Sequence, residues 1–124
     1  MPPPFAILTV EDAFLVGLQL KRDIESLGYE VLGPAPTTEA ALALVDHPQL
    51  AFAILDINLG IEDSIPVARA LQERNIPFLF ITGYDSVAAA EFEGIQVIRK
   101  PASSTQITEA IKAAIPQSEP SEPE

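Results

Sequence analysis

A chain of 124 residues, 48% hydrophobic and 20% charged, is long enough for one domain with a proper core and too short for two. Its formal charge of −11, with no basic stripe, argues against nucleic acid or an anionic membrane as a partner. The absence of cysteine excludes disulfides, thiolate metal sites and thiol catalysis.

Residues 1–4, Met1-Pro2-Pro3-Pro4, read as an N-terminal extension without the charged region of a signal peptide. The apolar run 5–10 reads as a first strand ending at Glu11-Asp12. A helix over 12–27 follows, because Ala13, Gly17, Leu20, Ile24 and Leu27 recur at three and four and form one stripe. Gly28 ends it. Phe14, Leu15 and Leu18 fall off that stripe and leave an apolar patch beside the acids. Residues 29–32 form a second strand, and Thr37 or Thr38 opens a second helix with Ala41, Leu44 and Val45 inward. His47, the only histidine, lies near the end of that helix, where a cation suits the dipole.

The run 51–55 is a third strand ending at Asp56, and Ser64-Ile65-Pro66 opens a third helix with Val67, Ala68 and Leu71 facing the sheet. Residues 77–82 form a fourth strand ending at Thr82, and 86–92 a short alanine-rich helix stopped by Gly94. A fifth strand over 95–98 lies just ahead of Lys100. Ser103 or Ser104 caps the last helix, whose inner face carries Ile107, Ile111 and Ala114, and Pro116 stops it. Residues 116–124, made of proline, serine, glutamine and glutamate, read as a disordered acidic tail. With few aromatics, the interior is expected to be aliphatic.

Strands alternating with helices predict an α/β fold, a doubly wound parallel sheet covered on both faces. In such a sheet ligands bind beyond the carboxyl ends of the strands, which brings Glu11, Asp12, Asp56, Thr82 and Lys100 to one edge. Two carboxylates about 4 Å apart repel by roughly 4 kcal/mol at an effective dielectric near 20, so three together call for a cation. An all-oxygen cluster suits Mg²⁺. Asp56 is the candidate nucleophile, Thr82 a hydroxyl donor to a phosphoryl oxygen and Lys100 a point charge for another. Asn58, two residues on, is placed to offer its backbone carbonyl to the metal.

The ordered set Glu11-Asp12, Asp56-Ile57-Asn58, Thr82-Gly83 and Lys100-Pro101, spread over five βα units, resembles the CheY-like receiver domain of two-component response regulators over residues 5–115. The resemblance implies a flavodoxin-like (βα)5 sandwich with strand order 2-1-3-4-5, a Mg²⁺ at the acidic pair, and an aspartyl phosphate on Asp56 drawn from a sensor histidine kinase. It implies a Lys100-Pro101 bond in the cis form. The protein would then be a stand-alone cytoplasmic phosphoacceptor rather than an enzyme, signalling to a downstream protein effector; a homodimer enters by analogy alone. Phe80-Ile81-Thr82-Gly83-Tyr84 is similar to the Phe-Ala-Thr-Gly signature of a receiver subgroup associated with HWE kinases, and Gly33-Pro34 fits it too. Val97 stands where the family carries its switch aromatic, so signal transmission is expected to use another route. Tyr84, two residues after Thr82, is expected either to pack on the fourth helix or to lean over Asp56 and restrict water.

Two other classes compete. A pseudo-receiver would fold and interact without being phosphorylated. A phosphatase of the haloacid-dehalogenase type would need a second aspartate two residues after the nucleophile, where this chain has Asn58.

Overall fold

The computed structural model describes residues 5–60, 62–83, 92 and 94–115. The strands are β1 (Ala6–Val10), β2 (Glu30–Ala35), β3 (Leu50–Asp56), the short pair β4 (Asn58–Leu59) and β5 (Glu62–Asp63), β6 (Phe78–Thr82) and β7 (Val97–Arg99). The helices are α1 (Phe14–Glu25), α2 (Thr38–Leu42), α3 (Ile65–Glu73) and α4 (Ser104–Ala114). Five strands form a parallel sheet in the order β2-β1-β3-β6-β7. Counted along the main sheet alone, that is the expected order 2-1-3-4-5 of a flavodoxin-like, CheY-type fold. The expected fourth helix, Tyr84, residues 1–4 and residues 116–124 lie outside the described residues, apart from Phe92.

The three central strands carry side chains buried on both faces, which is why they read as unbroken apolar runs. One face buries Leu8, Leu55, Val67, Leu71 and Phe80, against α2 and α3. The other buries Ile7, Leu20, Ile24, Ile54 and Ile111, against α1 and α4. The interior is not wholly aliphatic. Phe78, Phe80 and Phe92 meet edge to face in a triangle with ring centroids 5.6–6.0 Å apart.

Several boundaries differ from the sequence expectation. Helix α1 starts at Phe14, with Ala13 as an N-cap that offers no side chain, so Glu11 and Asp12 lie ahead of it. Strand β2 runs three residues further than expected, through Gly33 and a cis Pro34 to Ala35, which pairs with Val10 and accepts a hydrogen bond from the Glu11 N–H at 3.0 Å. Proline is tolerated there because β2 is an edge strand. Strand β7 begins at Val97, not residue 95, and alternates: Val97 and Arg99 are exposed while Ile98 is buried, as an edge strand allows.

The caps explain the remaining ends. Thr37, not Thr38, caps α2 by accepting from the Ala40 N–H at 3.1 Å. Ser103 caps α4 in a reciprocal capping box with Gln106. Helix α3 closes with Asn75 at φ 58°, and the N–H groups of Ile76 and Asn75 reach back to Leu71 and Gln72, a Schellman ending. His47 lies in the turn after α2, where its Nδ1 accepts from the Gln49 N–H at 3.1 Å. Among the described residues no helix is long and apolar enough to cross a membrane.

Gly17 is where α1 meets the extended end of β2. A Cβ at that position would stand 2.8 Å from Pro34 Cγ and 3.5 Å from Glu11 Cγ, and the proline ring has little freedom to yield. Gly17→Ala is therefore expected to destabilise the fold by about 1–3 kcal/mol through overpacking, despite alanine's better helix propensity. Urea unfolding of the two proteins measures it.

Candidate functional site

Each candidate residue sits at or just past the carboxyl end of a main-sheet strand. Glu11 and Asp12 follow β1, Asp56 closes β3, Thr82 closes β6 and Lys100 follows β7. Pairing sets their level: Val10 lies beside Leu55, Asp56 beside Ile81, and Thr82 beside Arg99. The Lys100 N–H then donates to the Thr82 carbonyl at 2.8 Å, which extends the β6–β7 ladder into the site.

Lys100 is the centre of the arrangement. Its Nζ lies 3.0 Å from Asp56 Oδ2, 3.1 Å from Glu11 Oε1 and 3.2 Å from Glu11 Oε2. The Ala13 N–H donates to Glu11 Oε2 at 3.1 Å, and the Asn58 N–H to Asp56 Oδ1 at 3.3 Å. Glu11, Asp56 and Thr82 are almost wholly buried, whereas Asp12 is exposed. Lys100-Pro101 is cis, as the resemblance implied.

Burial dominates the electrostatics of Glu11 and pushes its pKa above the usual value. The Ala13 N–H opposes this, the charge of nearby Asp56 adds to it, and Lys100 pulls back only in part. Burial also acts most strongly on Lys100, pulling its pKa down. The hydrogen bonds and charges of Asp56 and Glu11 together outweigh that pull and hold the ammonium above its ordinary range.

Carboxylate oxygens of Glu11, Asp12 and Asp56 lie within 4.8 Å of one another. Three oxygen donors converging at this distance, one of them on the exposed Asp12, fit a hard divalent ion that retains water, and Mg²⁺ is the one whose habits match. Asp12, Asp56, Asn58, Gly60, Gly83 and Lys100 line an open cavity of about 550 Å³. Gly60 was not foreseen as part of it. Its φ is +80°, a left-handed conformation that favours glycine, and a Cβ there would meet Asp12 Oδ2 only at an ordinary contact distance of 3.8 Å, so it is the turn of the chain that calls for glycine.

Two apolar hollows flank the acidic cavity. One, of about 620 Å³, is lined by Leu15, Val16, Leu20, Ile81, Pro101 and Ile107, between α1 and the start of α4. The other, of about 300 Å³, is lined by Phe14, Leu18, Pro34 and Pro36 on the opposite side of α1. Phe14 and Leu15 are 78% and 74% exposed, and Val16 joins them, while Leu18 is half-buried. The apolar patch expected on α1 is therefore real but centred on its first turn.

Residues 7–112 match the family described as the response regulator receiver domain. The chain is 32% identical to the photosynthetic apparatus regulatory protein RegA of Rhodobacter capsulatus over 87% of its own length and 61% of RegA's. It thus spans about three fifths of that relative. Among solved structures it resembles SdrG from Sphingomonas melonis Fr1, with 38% identity, a TM-score of 0.78, and coverage of 92% of this chain and 98% of that one. The receiver domain of the PhyR response regulator from Erythrobacter litoralis matches at 25% identity and the same TM-score, covering 95% of each chain.

A carboxyl whose pKa is higher in the folded than in the unfolded chain contributes stability below the unfolded value and loses it as pH rises through the folded value. Glu11 is such a group, so its charge burdens the metal-free fold at neutral pH. Glu11→Gln is expected to raise the thermal midpoint of the metal-free protein at pH 7. The gain should shrink towards zero as pH falls to the ordinary carboxyl value of 4.5. Thermal melts across that range, without divalent ions, give the measurement.

Proposed function

The chain belongs to the response regulator receiver domain family, and on that premise we propose that Asp56 accepts a phosphoryl group from a sensor histidine kinase in a Mg²⁺-dependent reaction and that the protein signals by contact with a downstream protein effector. The observation that carries this reading is the meeting of Glu11, Asp12 and Asp56 with a single lysine at the carboxyl edge of the sheet.

In the proposed reaction an Asp56 carboxylate oxygen attacks phosphorus in line with the donor's imidazole. The new bond is O–P, the broken one N–P, and the imidazole nitrogen leaves with the electron pair. Lys100 Nζ, already 3.0 Å from Asp56 Oδ2, would pair with one equatorial phosphoryl oxygen, and the Thr82 hydroxyl would donate to another. Glu11, Asp12, Asp56 and the Asn58 carbonyl would hold the Mg²⁺, whose charge lowers the repulsion between carboxylate and incoming phosphate. The protein is then a phosphoacceptor, with at most its own labelling from a small donor and its own dephosphorylation as chemistry, and the cytoplasm is where such a donor would meet it.

The likeness to SdrG and to the PhyR receiver supports the Phe-Ala-Thr-Gly subgroup, and with it an HWE-type kinase as donor. The exposed Phe14, Leu15 and Val16 beside the acidic cavity support docking of the kinase's helical bundle on the first turn of α1. Val97, an exposed aliphatic on the edge strand, supports a signalling route that does not rely on aromatic rotation.

Incubation with acetyl phosphate and Mg²⁺ is expected to add one phosphoryl mass to the protein and none to Asp56→Asn, read by intact mass. Lys100→Ala should slow the addition about a hundredfold. An unmodified wild type would favour the pseudo-receiver. Phe14→Glu combined with Leu15→Glu should cut transfer from the cognate kinase at least about tenfold, since paired anchors on a docking face carry most of the affinity. Labelling by acetyl phosphate should stay at the wild-type rate in that double variant.

A further inference from the structure

The segment after Asp56 has a structure that its sequence hides. Asn58–Leu59 and Glu62–Asp63 form a two-stranded antiparallel ladder with Asn58 directly across from Asp63 and Leu59 across from Glu62. Two residues per strand are too few to hold a hairpin on their own. Leu59 is buried, which secures one strand, but Glu62 and Asp63 are exposed.

What holds the outer strand is a side chain from another element. Thr38 Oγ1 donates to the main-chain carbonyl of Asp63 at 2.8 Å. Thr38 is available for this because Thr37 performs the capping of α2. Asp63 is engaged on a second side, since its Oδ1 accepts from the Ile65 N–H at 3.1 Å, and the next N–H, of Ser64, donates to the Ile57 carbonyl at 3.0 Å. The ladder residue opposite Asn58 is therefore gripped by the first turn of α2 and by the start of α3.

We infer that Thr38 is a positioning residue for the metal: by clamping Asp63 across the ladder from Asn58, it holds the Asn58 backbone beside Asp56, where its carbonyl would serve the ion. The inference rests on the proposed Mg²⁺ site. Thr38 touches neither the ion nor the phosphoryl group, and acts through the hairpin alone. Outer-shell groups of this kind alter metal affinity by orienting a ligand that would otherwise wander.

The test is an equilibrium Mg²⁺ titration of the full chain, followed by calorimetry and by the amide signals of Asn58 and Asp63. Thr38→Val keeps the shape and removes the donor; it is expected to weaken Mg²⁺ binding by about threefold to tenfold, at or below the low end of outer-shell losses. Thr38→Ser restores the hydroxyl and should return the affinity to near wild type. Thr37→Ala removes the α2 cap without touching Asp63, and should bind Mg²⁺ as the wild type does. Wild-type affinity in Thr38→Val would overturn the inference, and so would an equal loss in Thr37→Ala, which would trace the effect to the helix as a whole. Absence of saturable Mg²⁺ binding by the wild type would bring down the underlying site, and this inference with it.

Discussion

Charge repulsion at the carboxyl edge of the sheet is the constraint around which the molecule is arranged. Two strand ends, those of β1 and β3, deliver three carboxylates to one place, and burial deprives two of the three of the water that would screen them. Lys100 answers the two buried acids and leaves the exposed Asp12 unanswered. The site is thus stable enough to fold and still deficient in positive charge. That deficiency leaves the cluster suited to a cation beside the exposed acid.

Much of the surrounding fold supports this balance. The Glu11 main chain is held by Ala35, which requires β2 to continue past Pro34 and α1 to approach through Gly17. On the other side, Ser104 Oγ donates to Asp23 Oδ2 at 2.9 Å and ties the start of α4 to α1. Arg74 reaches Asp46 at 2.7 Å and holds the end of α3 to the turn after α2, the same two helices whose beginnings grip the hairpin. That hydrogen bond, more than the bare charge, keeps the Asp46 carboxyl below its ordinary pKa.

The central strands were legible because burial on both faces demands unbroken apolar residues, and Glu11, Asp12, Asp56, Thr82 and Lys100 could each be placed at a strand end by counting. Lys100 was legible only as a member of the set, since one lysine in isolation reads as a solvated charge. Strand β2 was cut short because Pro34 looks like a terminator, and nothing local reveals that it lies on an edge. The β4–β5 ladder was missed for a different reason: Glu62 and Asp63 are exposed acids with no β propensity, paired only because Leu59 and Thr38 anchor them from elsewhere. Choosing between Thr37 and Thr38 as a cap was likewise beyond a pattern of residues, because it depends on which hydroxyl faces the Ala40 N–H. Tertiary contacts decided each of these points.

The two borders of the sheet bear on how the protein tolerates crowding by its own kind. An open parallel sheet offers unpaired main-chain groups along its outermost strands, and a second chain could add there and start a fibril. Strand β2 carries Pro34, which has no N–H to offer and follows a glycine at φ +113°, so its outer line is interrupted and bent. Strand β7 is three residues long and runs from Arg99 straight into Lys100 and a second cis proline. A short strand that runs into a charge, like an edge interrupted by a residue without an N–H, is a poor template for another strand, so both borders disfavour edge-to-edge addition to a chain with so apolar a centre.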